Sequence, residues 1–339
     1  MGEFELIERF FKRNQAATPA PTAPEAPDSI ALGIGDDCAL LQPAPGMQLA
    51  VSTDLLVEGR HFFADVDPAA LGHKALAVNL SDLAAMGAEP LAFTLALALP
   101  PERAQDEAWL AALAQGLFAL ADAHGCALVG GDTTAGPLTL CITVFGQVPA
   151  GHALRRDGAR AGDDLWVSGT LGDARLALAA LRGEIDLPAE ALAQARQRLE
   201  RPTPRLALGT ALRGIAHSAI DVSDGLAGDL GHILKASQVG AVIKVADASR
   251  LIAARALLAG AEGPFGLKSL LPFILTGGDD YELAFTAPPA ARAAVQAAAQ
   301  RAATPVTRIG RIEAEPGLRL IDAHGRATPL AARAFDHFA

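Results

Sequence analysis

"SAIDVSDGLAGDLGHI", residues 218–233, joins a short apolar run to a glycine-spaced segment through Asp221, Ser223 and Asp224. In an extended strand, side chains two apart point to one face, so Asp221 and Ser223 share a face and Val222 points to the other. Asp224 then stands at the start of a helix, where an acidic side chain also serves as a cap. The stretch reads as a strand turning into a helix, with an oxygen cluster at the turn. A second stretch, "NLSDLAAMG" at residues 79–87, again sets Ser-Asp before small residues and leucines, once in each half of the chain. Two related domains would produce this echo, and so would the shared chemistry of a helix start.

Working outward, the 339 residues exceed the usual size of one domain and favour two α/β halves, each with its own core. The Gly-, Arg- and Asp-rich stretch "GHALRRDGARAGDDLWVSG", residues 151–169, sets the boundary between domains 1–149 and 150–339. In the first, a helix over 3–13 precedes the Ala/Pro-rich, aperiodic segment 16–27, expected as an extended surface loop. Strands are expected at 30–34 and 48–54, a helix from Asp67-Pro68 to about Gly87, a helix over 105–124, and strands at 126–130 and 138–148. Trp109, Leu113, Leu117 and Leu120 mark one face of the helix that stops at Gly125. In the second half, a strand at 165–168 is followed by helices at 173–182, 189–199 and 204–216. "YELAFT", 281–286, alternates as a half-buried strand should, and a helix over 289–302 and two short strands follow.

The formal charge of −10 excludes a general nucleic-acid surface, which needs clustered Lys and Arg. An acidic chain that binds nucleotides needs a divalent cation between its carboxylates and the phosphates, and Mg²⁺ suits oxygen ligands. Apolar residues are scattered in periodic segments, with no run long enough to cross a bilayer, and the acidic N-terminus shows no secretory signal. A soluble, cytoplasmic protein is the expectation. Cys38, Cys126 and Cys141 are widely spaced without CxxC pairing, which argues against a disulfide framework or a zinc knuckle.

Six stretches place acids beside glycines or hydroxyls: "GIGDDCAL" (33–40), "VSTDLL" (51–56), "NLSDLAAMG" (79–87), "GGDTT" (130–134), "DVSDGLAGD" (221–229) and "GGDDYEL" (277–283). Each alone is ordinary turn or cap composition. Geometry adds more: Ser52 and Asp54 share one strand face with Thr53 on the other, and Asn79 and Asp82 are three apart on one helix face. Gathered carboxylates repel one another unless cations neutralise them, and the natural further ligands of Mg²⁺ are phosphate oxygens. Glycines in Gly33-x-Gly35, Gly130-Gly131 and Gly277-Gly278 would let backbone N–H groups approach phosphates closely. No GxxxxGK[ST] loop, kinase-type GxGxxGxV, HRD and DFG set, GxSxG elbow or HExxH helix is present, so ATP chemistry here needs another architecture.

The order and spacing of "GEFELIERFF", "GIGDDCALL", "STDLLVEGRHF", "KALAVNLSDLAAMGAEP", "GGDTT", "SAIDVSDGLAGDLGHI" and "GGDDYELAF" resemble the thiamine-monophosphate kinase family over nearly the whole chain. The resemblance implies a two-domain α/β (α+β) fold like that of aminoimidazole ribonucleotide synthetase. It implies a homodimer whose N-terminal sheets pair, a C-terminal α/β domain, and ATP-dependent phosphorylation of thiamine monophosphate to thiamine diphosphate with several Mg²⁺ ions. Carried over by position, it makes Asp37, Ser52, Thr53, Asp54, Asp82, Asp132, Asp221 and Asp224 metal ligands, some through backbone oxygen. Gly131, Asp132, Arg156 and Ser223 match nucleotide-binding positions, and His61, Asp279 and Phe335 match substrate-contacting ones. The family often has Glu where this chain has Asp279. Plainer roles stand beside these: a partly buried histidine for His61, a solvated loop charge for Arg156, core packing for Phe335. For such a reaction direct in-line transfer is expected, aided by metal-bound Asp54 and Asp224 with no protein nucleophile, because the acceptor phosphate is already anionic. The alternatives are another ATP-dependent enzyme of the same superfamily, such as selenophosphate synthetase, or a nucleotide-binding module without catalysis.

Overall fold

The computed structural model describes residues 2–12, 29–254, 258, 267–322 and 324–328. The expected loop at 16–27 and Phe335 lie outside these described residues. The chain divides into two compact units, Met1–Leu83 with Glu89–Gly151, and Ala84–Ala88 with His152–Ala339. Among the described residues, no helix is long and apolar enough to cross a membrane.

The first unit begins with α1 (Glu3–Leu6), which widens into a π turn over Ile7–Phe11, so the N-terminal helix stops two residues short of the expected end. Its sheet has the order β3-β6-β4-β5, formed by β3 (Met47–Val57), β4 (Glu89–Leu99), β5 (Ala127–Ala135) and β6 (Thr139–Pro149). A separate two-stranded ribbon joins β1 (Ile30–Leu32) to β2 (Leu40–Leu41). The pairings within the sheet are antiparallel except β4 with β5. Strand β4 was not anticipated, because "EPLAFTLALAL" is a nearly continuous apolar run whose period does not separate strand from helix.

Two helices cover this unit's core. In α2 (Pro68–Ala85), Leu76, Leu80 and Leu83 recur at helical spacing and are each at most 1% exposed. In α4 (Glu107–Ala123), after the short α3 (Pro101–Ala104), Asp106 caps the first turn by accepting the Trp109 N–H at 3.0 Å. The expected start at 105 moves to this cap. The two helices touch through glycine: a Cβ on Gly116 would lie 1.8 Å from the Ala69 carbonyl oxygen, and one on Gly72 would lie 2.0 Å from that of Leu113. Backbone meets backbone at both points, so no side chain can move aside.

The second unit carries a seven-stranded sheet of order β13-β12-β9-β11-β7-β10-β8. Its strands are β7 (Asp164–Ser168), β8 (Ser218–Val222), β9 (Gly240–Lys244), β10 (Glu282–Ala287), β11 (Val306–Glu313), β12 (Gly317–Ile321) and β13 (Ala327–Thr328). Helices α5 (Asp173–Leu181), α6 (Ala189–Glu200), α7 (Leu206–Leu212), α8 (Leu226–Ser237) and α9 (Val245–Ala248) follow the chain, with further helices at Leu267–Thr276 and Arg292–Arg301. Leu165, Ile220, Leu230, Ile243 and Ile309 share one core built from sheet and helices. The helix expected over 204–216 is shorter than that span, and β9 and the Leu267–Thr276 helix, which contains Pro272, were not foreseen.

Strand β10 corrects a further expectation. The alternation of "YELAFT" predicts a half-buried strand, yet each residue from Glu282 to Ala287 is buried, because β10 lies inside the sheet between β7 and β8. Its polar residues are satisfied internally. The Glu282 carboxylate, 0% exposed, accepts from Ser168 Oγ at 2.6 Å, Arg198 Nη2 at 2.7 Å and Arg205 Nε at 2.6 Å. Thr286 Oγ1 pairs with Ser218 Oγ at 2.8 Å. Two arginines around one desolvated carboxylate form a buried ion triad, strongly destabilising when one member is removed.

Two stability measurements follow. Gly116→Ala is expected to lose about 1–3 kcal/mol in urea denaturation through overpacking. Glu282→Gln is expected to lose about 3–5 kcal/mol, because two guanidinium groups lose their counter-charge in the interior. A change below about 0.5 kcal/mol in either variant contradicts the packing described.

Candidate active site

The glycine-rich stretches of the first unit converge on a pocket of ≈ 600 Å³. Gly35 and Asp37 border it from the β1–β2 connection, Gly131 and Asp132 from β5, and Phe11 and Lys12 from the N-terminal segment. Gly131 is required by geometry: its φ is +148°, and a Cβ there would lie 1.9 Å from the Leu95 carbonyl oxygen. Gly35 has φ +136°. Asp37 and Asp132 are both exposed, and the Asp37 N–H donates to Asp36 Oδ1 at 2.8 Å. Lys12 is paired to Glu8 at 2.9 Å on the pocket lining. A concave surface with bare backbone, the open carboxylates of Asp36, Asp37 and Asp132 and an apolar flank suits a phosphorylated ligand that brings a cation.

A second group forms between β3 and α2. Ser52 Oγ donates to Asp82 Oδ2 in a short contact, and the Asp54 N–H donates to Asn79 Oδ1 at 3.1 Å. Asn79, 0% exposed, is oriented by donating its Nδ2 to the Ala75 carbonyl at 3.0 Å. The strand alternation and helix spacing that place these residues together are those of the sequence. Thr53 points the other way and pairs its hydroxyl with Thr143 Oγ1 at 2.8 Å, which takes its side chain away from the Asp54 side. Burial, followed by the Asp54 charge, raises the Cys141 thiol above its ordinary pKa. Sheet register places Asp54, Ile142, Leu95 and Gly131 on one row across four strands. Three strand spacings, about 14 Å, therefore separate Asp54 from Gly131 and Asp132. Near the end of β3, the Val57 N–H donates to His61 Nδ1 at 2.9 Å. With Nδ1 accepting, the ring hydrogen sits on Nε2, which becomes a donor.

In the second unit, the turn from β8 to α8 carries Asp221, 5% exposed, then half-buried Ser223 and Asp224. The segment 277–281 runs alongside it: the Asp279 N–H donates to the Ser223 carbonyl at 2.9 Å, and the Tyr281 N–H to that of Val222 at 2.8 Å. Asp279 and Tyr281 have φ +67° and +52°, left-handed values rare for such residues. Tyr281 Oη donates to Asp279 Oδ1 at 3.2 Å. Between them, Asp280 is buried and accepts the Gly172 N–H on both carboxylate oxygens, at 3.0 and 2.9 Å. Burial holds the Asp280 carboxyl well above the usual range. Arg156 is exposed on the 3₁₀ turn Arg156–Gly158, beside the Arg155–Asp157 ion pair at 2.6 Å.

The structure thus brings Asp37, Gly131 and Asp132 to one pocket, Ser52, Asp54 and Asp82 to one strand–helix contact, and Ser223, Asp224 and Asp279 to one pair of loops. Sequence reasoning missed Lys12 and Phe11 at the pocket, and Asp229, whose carboxylate touches the Ser223–Asp224 backbone. Asp229 had a legible signal, since it falls in the first turn of a helix that begins just after Asp224. Among the described residues, no group of three or more His, Cys, Asp or Glu side chains is arranged as a metal cage. The donor set still fits magnesium: it is oxygen only and dispersed, and Mg²⁺ takes one or two carboxylates, substrate phosphates and waters in preference to an all-protein cage.

Comparison with known proteins identifies the family. Residues 35–148 match the AIR synthase related protein, N-terminal domain, and residues 160–323 match its C-terminal domain. Thiamine-monophosphate kinase of Salmonella typhimurium is 45% identical over 340 aligned residues, covering 100% of this chain and 98% of the relative. The crystal structure of thiamine-monophosphate kinase from Stenotrophomonas maltophilia K279a has a TM-score of 0.79 at 48% identity, covering 89% of this chain and 93% of that one. A structure described as AaThiL complexed with AMPPCP and TMP has a TM-score of 0.73 at 29% identity, covering 90% and 92%. The chain belongs to the thiamine-monophosphate kinase family, within the AIR synthase related proteins.

Proposed function

We propose that this chain transfers the γ-phosphoryl group of ATP to the phosphate of thiamine monophosphate, yielding thiamine diphosphate and ADP. The observation that carries the reading is the pocket in which Gly35 and Gly131 expose backbone between Asp37 and Asp132. The relatives' activity and the AMPPCP and TMP complex support the choice of substrates.

An oxygen of the acceptor phosphate attacks the γ-phosphorus while the bond from that phosphorus to the β-bridging oxygen breaks. The acceptor is already anionic at neutral pH, so the transfer needs little base catalysis. The obstacle is repulsion between two anions, and the remedy is positioning and charge neutralisation. Gly131, Asp132, Arg156 and Ser223 serve the nucleotide, and His61, through Nε2–H, and Asp279 serve the acceptor. Asp37, Ser52, Asp54, Asp82 and Asp132 in the first unit, and Asp221 and Asp224 in the second, would hold several Mg²⁺ ions, with Thr53 contributing backbone oxygen. Bound there, the cations would neutralise phosphate oxygens and carboxylates alike. Residues 1–149 are the ATP, metal and dimerisation domain and 150–339 the C-terminal domain.

We read the enzyme as a homodimer formed through the N-terminal sheets. Leu49, Val51 and Leu55 alternate on one face of the edge strand β3 and are 47%, 55% and 49% exposed, an unusual apolar display for a strand end-to-end with solvent. A cytoplasmic location is supported by three cysteines that are all free thiols.

A coupled ADP-release assay with thiamine monophosphate, thiamine and aminoimidazole precursors as competing acceptors tests the activity. Turnover with thiamine monophosphate alone is expected, and turnover only with another acceptor overturns the assignment. Asp54→Asn and Asp224→Asn are each expected to lower kcat by about 10²–10³-fold and to weaken magnesium dependence; near-normal rates in both would remove the metal-site reading. Val51→Glu combined with Leu55→Glu is expected to convert dimer to monomer in light scattering, and a wild-type monomer at micromolar concentration refutes the sheet pairing.

A further inference from the structure

Asp229 lies in the first turn of α8 and is 4% exposed. Its own N–H donates to the Gly225 carbonyl at 3.0 Å, continuing the helix. Its carboxylate turns back, and the single oxygen Oδ2 accepts the N–H groups of both Ser223 and Asp224 at 3.0 Å. Carboxylates near helix starts commonly take up exposed amides of the helix itself. Here the carboxyl takes the N-cap amide of Gly225 and, beyond it, those of two residues that precede the N-cap. Those two residues carry the side chains assigned above to nucleotide and metal.

The same turn is held on its other edge. The carbonyls of Val222 and Ser223 accept the N–H groups of Tyr281 and Asp279. Gly225, at φ +111°, passes so close to the neighbouring chain that a Cβ would lie 2.8 Å from the Thr276 carbonyl carbon. The backbone of residues 222–225 is therefore pinned through its carbonyls by one segment and through its amides by one carboxylate oxygen. Removing that oxygen leaves two amides without their acceptor, and the peptide planes that set the directions of the Ser223 and Asp224 side chains can rotate. Outer groups that orient metal-binding side chains in this way commonly change affinity or activity by about 10–100-fold when removed.

From this geometry we infer that Asp229 is a positioning residue for phosphoryl transfer: it orients Ser223 and Asp224 by accepting both of their amides, and touches neither substrate nor cation. The inference rests on the reading of Ser223 and Asp224 given above. The test uses the full chain with Asp229→Ala, Asp229→Ser and Asp229→Asn. Only Asn keeps an oxygen at the position of Oδ2. In the metal-free protein, hydrogen exchange at the Ser223 and Asp224 amides is expected to accelerate at least about tenfold in the Ala and Ser variants and to stay near wild type in Asn. In steady-state assays, the Ala and Ser variants are expected to need about 10–100-fold more Mg²⁺ for half-maximal rate or to lose kcat by that factor, with KM for thiamine monophosphate within twofold of wild type. The Asn variant is expected to recover most of the loss.

Should the Ala variant fail to fold, the Ser variant, smaller in its effect on packing, carries the comparison with Asn. Folded Ala or Ser variants with wild-type exchange and wild-type magnesium dependence overturn the inference. An Asn variant as impaired as Ala also overturns it, because acceptor geometry would then not be what matters. Asp224→Asn, measured alongside, separates the two levels: if it retains full turnover, the site reading fails; if it collapses while Asp229→Ala is unaffected, the inference about Asp229 fails alone.

Discussion

Negative charge is the constraint around which this molecule is organised. A chain of formal charge −10 has to admit two phosphorylated substrates. Its acids are sorted into those satisfied within the fold and those left exposed at the pocket. Glu282 is enclosed by Arg198 and Arg205, and Asp164 is paired with Arg292 at 2.6 Å and Arg308 at 3.3 Å. Asp173 and Asp280 take backbone amides, Asp173 from Ala253 and Ala254 at 2.9 Å. Asp37 and Asp132 stand exposed in the pocket. A phosphate entering there would be repelled by these carboxylates unless a cation accompanied it.

The same sorting explains what could be read in advance. Local periodicity exposed Ser52 with Asp54, Asn79 with Asp82, and the strand-to-helix turn at Asp221–Asp224, because each depends on residues within a few positions of one another. The interior acids carry no such signal. Arg198 and Arg205 precede Glu282 by 84 and 77 residues, and Asp280 meets Gly172 across 108. An acid followed by Tyr and Leu reads as the edge of a half-buried strand until the partners arrive from elsewhere. Strand β4 was hidden for a different reason, since a strand buried on most of its length loses the alternation by which strands are recognised. Lys12 and Phe11 reach the pocket only through the path of the N-terminal segment, which no local pattern specifies.

Glycine supplies the complement to these charges. At Gly131 the chain comes within a bond length or so of where a side chain would strike the neighbouring strand, and at Gly116 and Gly72 the same closeness joins two helices. The first leaves backbone bare at the pocket and the others draw α2 and α4 together, so one residue type serves pocket and packing within the same unit.

The left-handed pair Asp279 and Tyr281 has a thermodynamic meaning for binding. Residues held in such regions resist ordering, at a cost of about 1–3 kcal/mol each. Here the cost is met during folding, by the hydrogen bonds that the Asp279 and Tyr281 amides donate to the Ser223 and Val222 carbonyls and by Asp280 and Glu282 anchored in the interior on either side of Tyr281. The loop is therefore ordered in advance, and if it serves the acceptor as proposed above, little of the interaction energy would be consumed in arranging it. A flexible loop of the same composition would make the same contacts with weaker net affinity. The interior acids thus remove freedom from the residues beside them, and would in that way favour any ligand those residues face.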